Sequence, residues 1–331
     1  MQTTLLVLLA LAALIALFLI RKAADVNRGR VMALTELENM EITKMSGIGS
    51  VNNLTVLPLV EYYADRDDLK TEPGIAYLIK ADDTTILMDV GFNKKKEHPS
   101  PLLANMEKLG VSIGDIDMIY ISHAHLDHLG GMKEMKDRTF SFSQGKVEVG
   151  AIPVHTPVEI TPSAFNPGPV VKTATTPGVI KPGIINMGVI PRYLFLMGMT
   201  MEQSLAVNVK GKGIVLIVGC GHQTIERIVE RAKTLFSEPI YAVIGGLHFP
   251  LKGGRGNIGP INLQYIVGSD SPPWKGISEK DLGSAIGALK AADPKLVRLS
   301  PHDSSDWSLE KFRQALGDRF DIIKAGKEIR V

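Results

Sequence analysis

Residues Leu5 to Ile20 form an unbroken apolar run, extended by the uncharged Thr3 and Thr4. A helix of about 18 residues reaches roughly 27 Å, adequate for the hydrocarbon core of a bilayer. A cleaved signal peptide would place basic residues ahead of the run, and Met-Gln-Thr-Thr offers only its terminal amine. A buried core helix would show a polar face, and none is visible. The pattern predicts a single-pass transmembrane anchor over residues 1–22. Arg21, Lys22, Arg28 and Arg30 follow the span and nothing basic precedes it, which places the rest of the chain on the cytoplasmic side. A polar juxtamembrane linker over 23–50 then ends in Gly47-Ile48-Gly49.

Over 51–331 the pattern changes to alternating strands and helices. Leu54–Leu59, Ile75–Ile79 and Thr85–Val90 read as strands, the last two joined by a turn at Ala81-Asp82-Asp83. Leu102–Leu109 reads as a helix and the fully apolar Met118–Ile121 as a buried strand. Pro153 to Pro191 holds eight of the nineteen prolines. It is expected to be a long irregular excursion and a candidate for substrate specificity. Gly213–Val218, Ile240–Ile244 and Leu296–Leu299 read as further strands. Ile225, Ile228, Val229, Ala232 and Phe236 mark one helix, and Leu282, Ile286 and Leu289 another. Leu309, Phe312 and Leu316 mark a last helix, with Ser308 as its N-cap.

Composition narrows the class. The 331 residues are 45% apolar, with 37 Lys+Arg against 35 Asp+Glu. That balance excludes a disordered chain, a collagen-like repeat and the basic excess of a dedicated nucleic-acid binder, so no nucleic-acid partner is expected. A single cysteine, Cys220, excludes an internal disulfide and a cysteine-based zinc ribbon, which leaves His and carboxylate as the main metal ligands.

Of the eight histidines, three fall in His123-Ala124-His125-Leu126-Asp127-His128, directly after the Met118–Ile121 strand. His123 and His125, two apart on an extended loop, point to one side. Asp127 and His128, being adjacent, should diverge. The spacing suits two metals, one on His123 and His125 and one on Asp127 and His128. Zinc prefers this ligand set, and iron or manganese also use it. His222, His248 and His302 each lie just beyond a predicted strand, where ligands collect in α/β structures. His222 and His302 are expected to complete the metal site, and His248 to act on the substrate or to support the ligands. His155 reads as a loop residue, and His98, beside Lys94 to Lys96, as solvated. Arg192 and Lys172 read as solvated cations, and Gly253-Gly254-Arg255-Gly256 as a flexible surface loop rather than a phosphate cradle.

The run His123-x-His125-x-Asp127-His128 resembles the signature of the metallo-β-lactamase superfamily, and Ile86-Leu87-Met88-Asp89-Val90-Gly91 resembles its strand ending in Asp-x-Gly. Gly219-Cys220-Gly221-His222, Glu202-Gln203-Ser204-Leu205, Ile190-Pro191-Arg192 and Ile244-Gly245-Gly246-Leu247-His248 resemble elements of its dihydropterin-synthase-like branch. That branch is associated with joining a pterin to a ribosyl-aminobenzene phosphate. The resemblance covers about 52–331 and implies a four-layer αββα sandwich with the metal site at one edge, His302 taking the place of the last metal-binding His. It departs at two points. Cys220 stands where a metal-bridging Asp is expected, and reads either as a ligand or as a small buried residue. His302-Asp303-Ser304-Ser305 replaces the usual His-Cys-Thr-Gly.

With the anchor read from the N-terminal run, the resemblance implies a membrane-anchored enzyme with a metal pair, zinc first, acting on a small anionic ester or phosphoester. A metal pair lowers the pKa of water from about 15.7 towards about 7. Asp127 would hold a metal and orient the nucleophile, and His248 would donate to the leaving group. Two alternatives stay open: a transferase joining a pterin to a ribosyl-aminobenzene phosphate, and a metal-binding sensor or scaffold without catalysis.

Overall fold

The computed structural model describes residues 2–331. Fourteen strands form two seven-stranded sheets that face each other. The first sheet contains β1 (Leu54–Val60), β2 (Ala76–Ala81), β3 (Thr84–Met88), β4 (Met118–Tyr120), β5 (Pro153–Thr156) and β6 (Val170–Thr173). The second contains β7 (Gly178–Lys181), β8 (Ile184–Leu194), β9 (Gly198–Val209), β10 (Gly213–Val218), β11 (Ile240–Gly245), β12 (Leu296–Leu299) and β13 (Phe320–Ile322), and β14 (Ile329–Arg330) returns to the edge of the first beside β1. Each sheet is antiparallel on one side and parallel on the other. β1–β2–β3 pair antiparallel and β3 to β6 parallel; β7 to β10 pair antiparallel and β10 to β13 parallel.

Both faces of the central strands are buried, which explains their continuous apolar runs. In β10, Val215 and Ile217 point between the sheets, against Tyr77, Ile86 and Tyr120. Ile214, Leu216 and Val218 point outward, onto the helices α4 (Ile225–Leu235), α5 (Glu279–Ala292) and α6 (Asp306–Leu316). On the other outer face, Leu102 and Met106 of α2 (Pro101–Lys108) cover Leu78, Leu87 and Ile119. The result is a helix–sheet–sheet–helix sandwich.

Three expectations change. The N-cap of α6 is Ser305, whose hydroxyl accepts from the Ser308 amide at 3.1 Å; Ser308 lies inside the helix. The proline-rich stretch is not irregular, since it supplies β5 to β8. Of these, β6 and β7 are edge strands, and Pro153 opens β5, positions where a missing N–H is tolerated. Beyond Asn186, β8 has no strand on its outer side, and Pro191 falls there. The stretch expected to be a polar linker from residue 23 is helical as far as Glu38. α1 runs from Gln2 to Glu38, and its second half is docked, with Val26, Gly29 and Ala33 buried on one face and Leu37 against the core. Gly29 meets the ring of Tyr193, so α1 covers the unpaired stretch of β8.

Candidate metal centre

The parallel strands of both sheets end at the same edge, and the polar chemistry collects there. Asp89 follows β3, His123 to His128 follow β4, Cys220 and His222 follow β10, His248 follows β11 and His302 follows β12. Most of these side chains are fully buried, so each must be hydrogen-bonded or matched to a ligand.

The histidines form one cluster. His123 Nε2 lies 3.0 Å from His125 Nδ1, and the ring centroids are 4.4 Å apart. His222 stands 5.2 Å from His123 and 5.0 Å from His125 between ring centroids. Ligand atoms of His123, His125 and His222 lie within 4.8 Å of one another, and so do those of Asp127, His128, Cys220 and His302. A third group, Cys220, His222 and His248, overlaps both. Cys220 Sγ is 3.0 Å from His128 Nε2 and 3.2 Å from His302 Nε2, so the cysteine lies within the second group. Asp127 and His128 do not diverge. They sit on the one-turn helix α3 (Leu126–Leu129), with Asp127 Oδ2 3.7 Å from His128 Nε2.

These separations fit a cation. Zn–N bonds of about 2.0–2.1 Å in a tetrahedron put neighbouring ligand atoms about 3.3 Å apart. Without a cation, the close ring nitrogens of neutral imidazoles can share only one proton. Burial and the neighbouring rings hold His123, His222 and His302 well below the usual range, and burial takes His125 to about 3. All four are neutral at pH 7, the state a metal ligand requires. Burial alone would also depress His128. The carboxylates of Asp89 and Asp127 outweigh it and hold the ring at about 9. Its Nδ1 lies 2.7 Å from Asp89, so the proton a cation would replace is on Nε2, facing Cys220.

A shell of residues outside the predicted set holds the ligands. Asp89, at φ +59, accepts from the Ser122 amide at 2.8 Å and hydroxyl at 2.7 Å as well as meeting His128. Ser300 Oγ bridges His302 Nδ1 and Glu61, each at 2.5 Å. Glu202 accepts from the Gly221 amide at 2.8 Å, and Gln223 bonds Ser204 and the Glu202 carbonyl, which fixes the Cys220–His222 turn onto β9. Burial pushes Glu61 and Glu202 each up to about 7. Gly246 is required by closeness: a Cβ there would fall 2.1 Å from Asp303 Oδ2. Asp89 and Glu202 stood in quoted motifs, but adjacency in sequence gave neither a partner. Glu61 and Ser300 lie 239 residues apart and carried no signal.

His248 takes a different posture from the expected proton donor. Its Nε2 faces the Gln264 carbonyl at 3.2 Å and therefore carries the proton. Burial lowers the ring to about 4, leaving the buried Nδ1 as a lone pair without a partner. His222 Nδ1 is likewise unpartnered, with the two rings 4.4 Å apart. His155 lies in β5, half-buried and paired with Tyr120, not in a loop and outside all three groups. His98 is exposed and meets Ser143 Oγ at 2.9 Å.

A cavity of about 230 Å³ adjoins the cluster at His248. Arg192 lines it and is not a solvated cation. It donates to the His222 carbonyl at 2.8 Å and pairs with Asp270 at 3.1 Å, its side chain 15% exposed. The cavity's outer wall comes from Ser269 to Ile277, not from the proline-rich stretch. Arg255 is also tied down, paired with Asp306 at 2.7 Å and stacked 4.2 Å from the Tyr62 ring.

Facing sheets, outer helices and a histidine-rich edge define the metallo-β-lactamase fold. The solved structure of Tm1679, a metal-dependent hydrolase of the β-lactamase superfamily, superposes with a TM-score of 0.58 at 17% identity, covering 84% of this chain and 99% of that one. The metallo-β-lactamase fold protein YhfI from Bacillus subtilis follows at 0.50 and 13%, covering 85% and 100%. In sequence, the chain is similar to the 7,8-dihydropterin-6-methyl-4-(β-D-ribofuranosyl)-aminobenzene-5′-phosphate synthase of Methanocaldococcus jannaschii. The two are 26% identical over 238 residues, 62% of this chain and 80% of that protein. Residues 74–152 match the family model of the anti-Pycsar protein Apyc1. The branch expected from the motifs is thus the one the synthase represents.

Proposed function

We propose that the chain is a membrane-anchored metallo-hydrolase with two metal ions, zinc first, acting on an ester or phosphoester. His123, His125 and His222 hold one ion; Asp127, His128 and His302, with Cys220, hold the other. The observation that carries the reading is the convergence of these seven side chains, from three separate chain segments, into two sets with ring and sulfur contacts of 3.0 and 3.2 Å. When bound, the metals supply Lewis-acid charge and lower the pKa of attacking water. Hydrolysis adds water across the ester: its oxygen bonds to phosphorus or carbon, the bond to the leaving alcohol breaks, and that alcohol takes a proton. Asp127, 18% exposed, is the carboxylate placed to orient the water. His248 Nδ1 accepts a hydrogen bond from substrate or water rather than donating one. Arg192 sets the cavity wall against an anionic group. The apolar half of α1, with none of its most apolar window buried, serves as the anchor of a cytoplasmic domain.

The likeness to the synthase supports a second reading, transfer of a pterin to a ribosyl-aminobenzene phosphate in the same site. Assays of the full chain in detergent, with and without chelator, distinguish them. Chelator-sensitive hydrolysis of bis(p-nitrophenyl) phosphate supports the hydrolase. Product only from a pterin precursor plus the aminobenzene phosphate supports the transferase. Metal content without turnover of either leaves a metal-binding scaffold.

A further inference from the structure

The direction of α1 relative to the active edge bears on where substrate comes from. Leu37 lies near Ile190, and Gly29 lies against Tyr193, so α1 runs antiparallel to β8. β8 and β9 are antiparallel, as are β9 and β10, so β8 points the same way as β10, β11 and β12. The C-terminal ends of those three strands carry Cys220, His222, His248 and His302. The apolar half of α1 therefore leaves the domain at the edge that holds the candidate metal centre.

The heights agree. Ile20 lies nine residues before Gly29, roughly 13 Å along the helix at 1.5 Å per residue. Leu196, in the turn after β8, lies three residues beyond Tyr193, roughly 10 Å along the strand. The turn thus ends near the level where the apolar segment begins. Leu196 is 48% exposed, and the turn is fastened to the cavity wall through Phe195 N–H to the Ser269 carbonyl at 2.8 Å. The 251–278 segment, which follows β11 at this edge, adds exposed Ile258, Ile261, Leu263 and Trp274, the last at 59%. Single exposed apolar residues are ordinary, but several on the loops that follow strands at one edge mark an interaction surface. Arg21, Lys22, Arg28 and Arg30 lie on the stretch of α1 beside it, and basic residues next to a span favour anionic headgroups.

We infer that this edge rests on the membrane surface and that the cavity takes its substrate from the bilayer, as an amphiphile whose ester or phosphoester headgroup reaches the metals. The inference rests on the anchor and hydrolase readings above. Leu196, Ile258 and Trp274 sit in the interface, and hydrolysis releases the headgroup while the apolar product stays in the lipid.

The full chain with Trp307→Phe keeps Trp274 as its one tryptophan. Reconstituted in phosphatidylcholine–phosphatidylglycerol vesicles, its emission should fall by about half when the acyl chains are brominated, as expected of a side chain at the acyl boundary. Unchanged emission in protein that resists alkaline carbonate overturns the inference and leaves the anchor standing; release by carbonate removes the anchor and the inference together. In the same vesicles a hexadecyl p-nitrophenyl phosphodiester should turn over about tenfold faster than the methyl ester, because it partitions into the bilayer. Leu196→Asp with Ile258→Asp should erase that advantage and leave the methyl rate unchanged. Equal rates on the two esters overturn the substrate class, and no turnover of either overturns the hydrolase reading.

Discussion

At the scale of residues, the site depends on orientation more than on ligand count. Asp89 fixes His128 by a 2.7 Å contact to Nδ1, which leaves Nε2 for a cation. Asp89→Asn keeps the shape but removes the charge, and should weaken metal affinity about 10–100-fold by competition with a chelator. The depressed histidines also set a pH dependence. A ring whose folded pKa lies below its unfolded value near 6.5 binds fewer protons folded than unfolded, so its contribution to stability is lost as pH falls below 6.5. For His125 that window runs from 6.5 to about 3. Glu61 and Glu202, raised to about 7, act oppositely and weaken the fold as pH rises from 4.5 towards 7. Urea unfolding of chelated protein at pH 7.5 and 5.5 separates them. The loss of stability on acidification should be smaller in His125→Ala than in the parent, and an identical loss would refute the assignment.

At the scale of elements, α1 joins two jobs in one 37-residue helix. Its exposed half is apolar all round, while its docked half buries a narrow stripe of Val26, Gly29 and Ala33. A side chain at Gly29 would fall within 2.1 Å of the Tyr193 ring. Gly29→Leu should therefore cost about 1–3 kcal/mol by overpacking and speed proteolysis between residues 38 and 50, while carbonate-resistant membrane association persists. In the core of the same outer layer, Phe312→Ala should lower stability by about 3–5 kcal/mol in urea titration, since its ring is fully buried.

At the scale of the whole molecule, the sequence was most informative where one element decides the pattern. The runs Met118–Ile121 and Gly213–Val218 read as strands because both faces are buried, and the His123–His128 turn follows from being next to one of them. The sandwich was legible only through motif resemblance, since alternation of strands and helices also fits a three-layer α/β fold. The proline-rich stretch misled because proline is compatible with an edge strand, and edges are a property of the sheet rather than of the segment. Helix α3 overturned the expected divergence of Asp127 and His128, because four residues give too little pattern to reveal a single turn. Glu61, Ser300 and Glu202 stayed hidden because their partners lie far along the chain, and burial is what makes them matter.

A two-metal centre built by seven side chains from distant segments is what the proposed chemistry requires. Elemental analysis of full-length protein, purified in detergent and dialysed against metal-free buffer, measures it directly. The expected content is about two zinc-type ions per chain and about one in a His123→Ala variant that remains folded by circular dichroism. Folded parent protein that takes up no metal when zinc, iron or manganese is offered would contradict it.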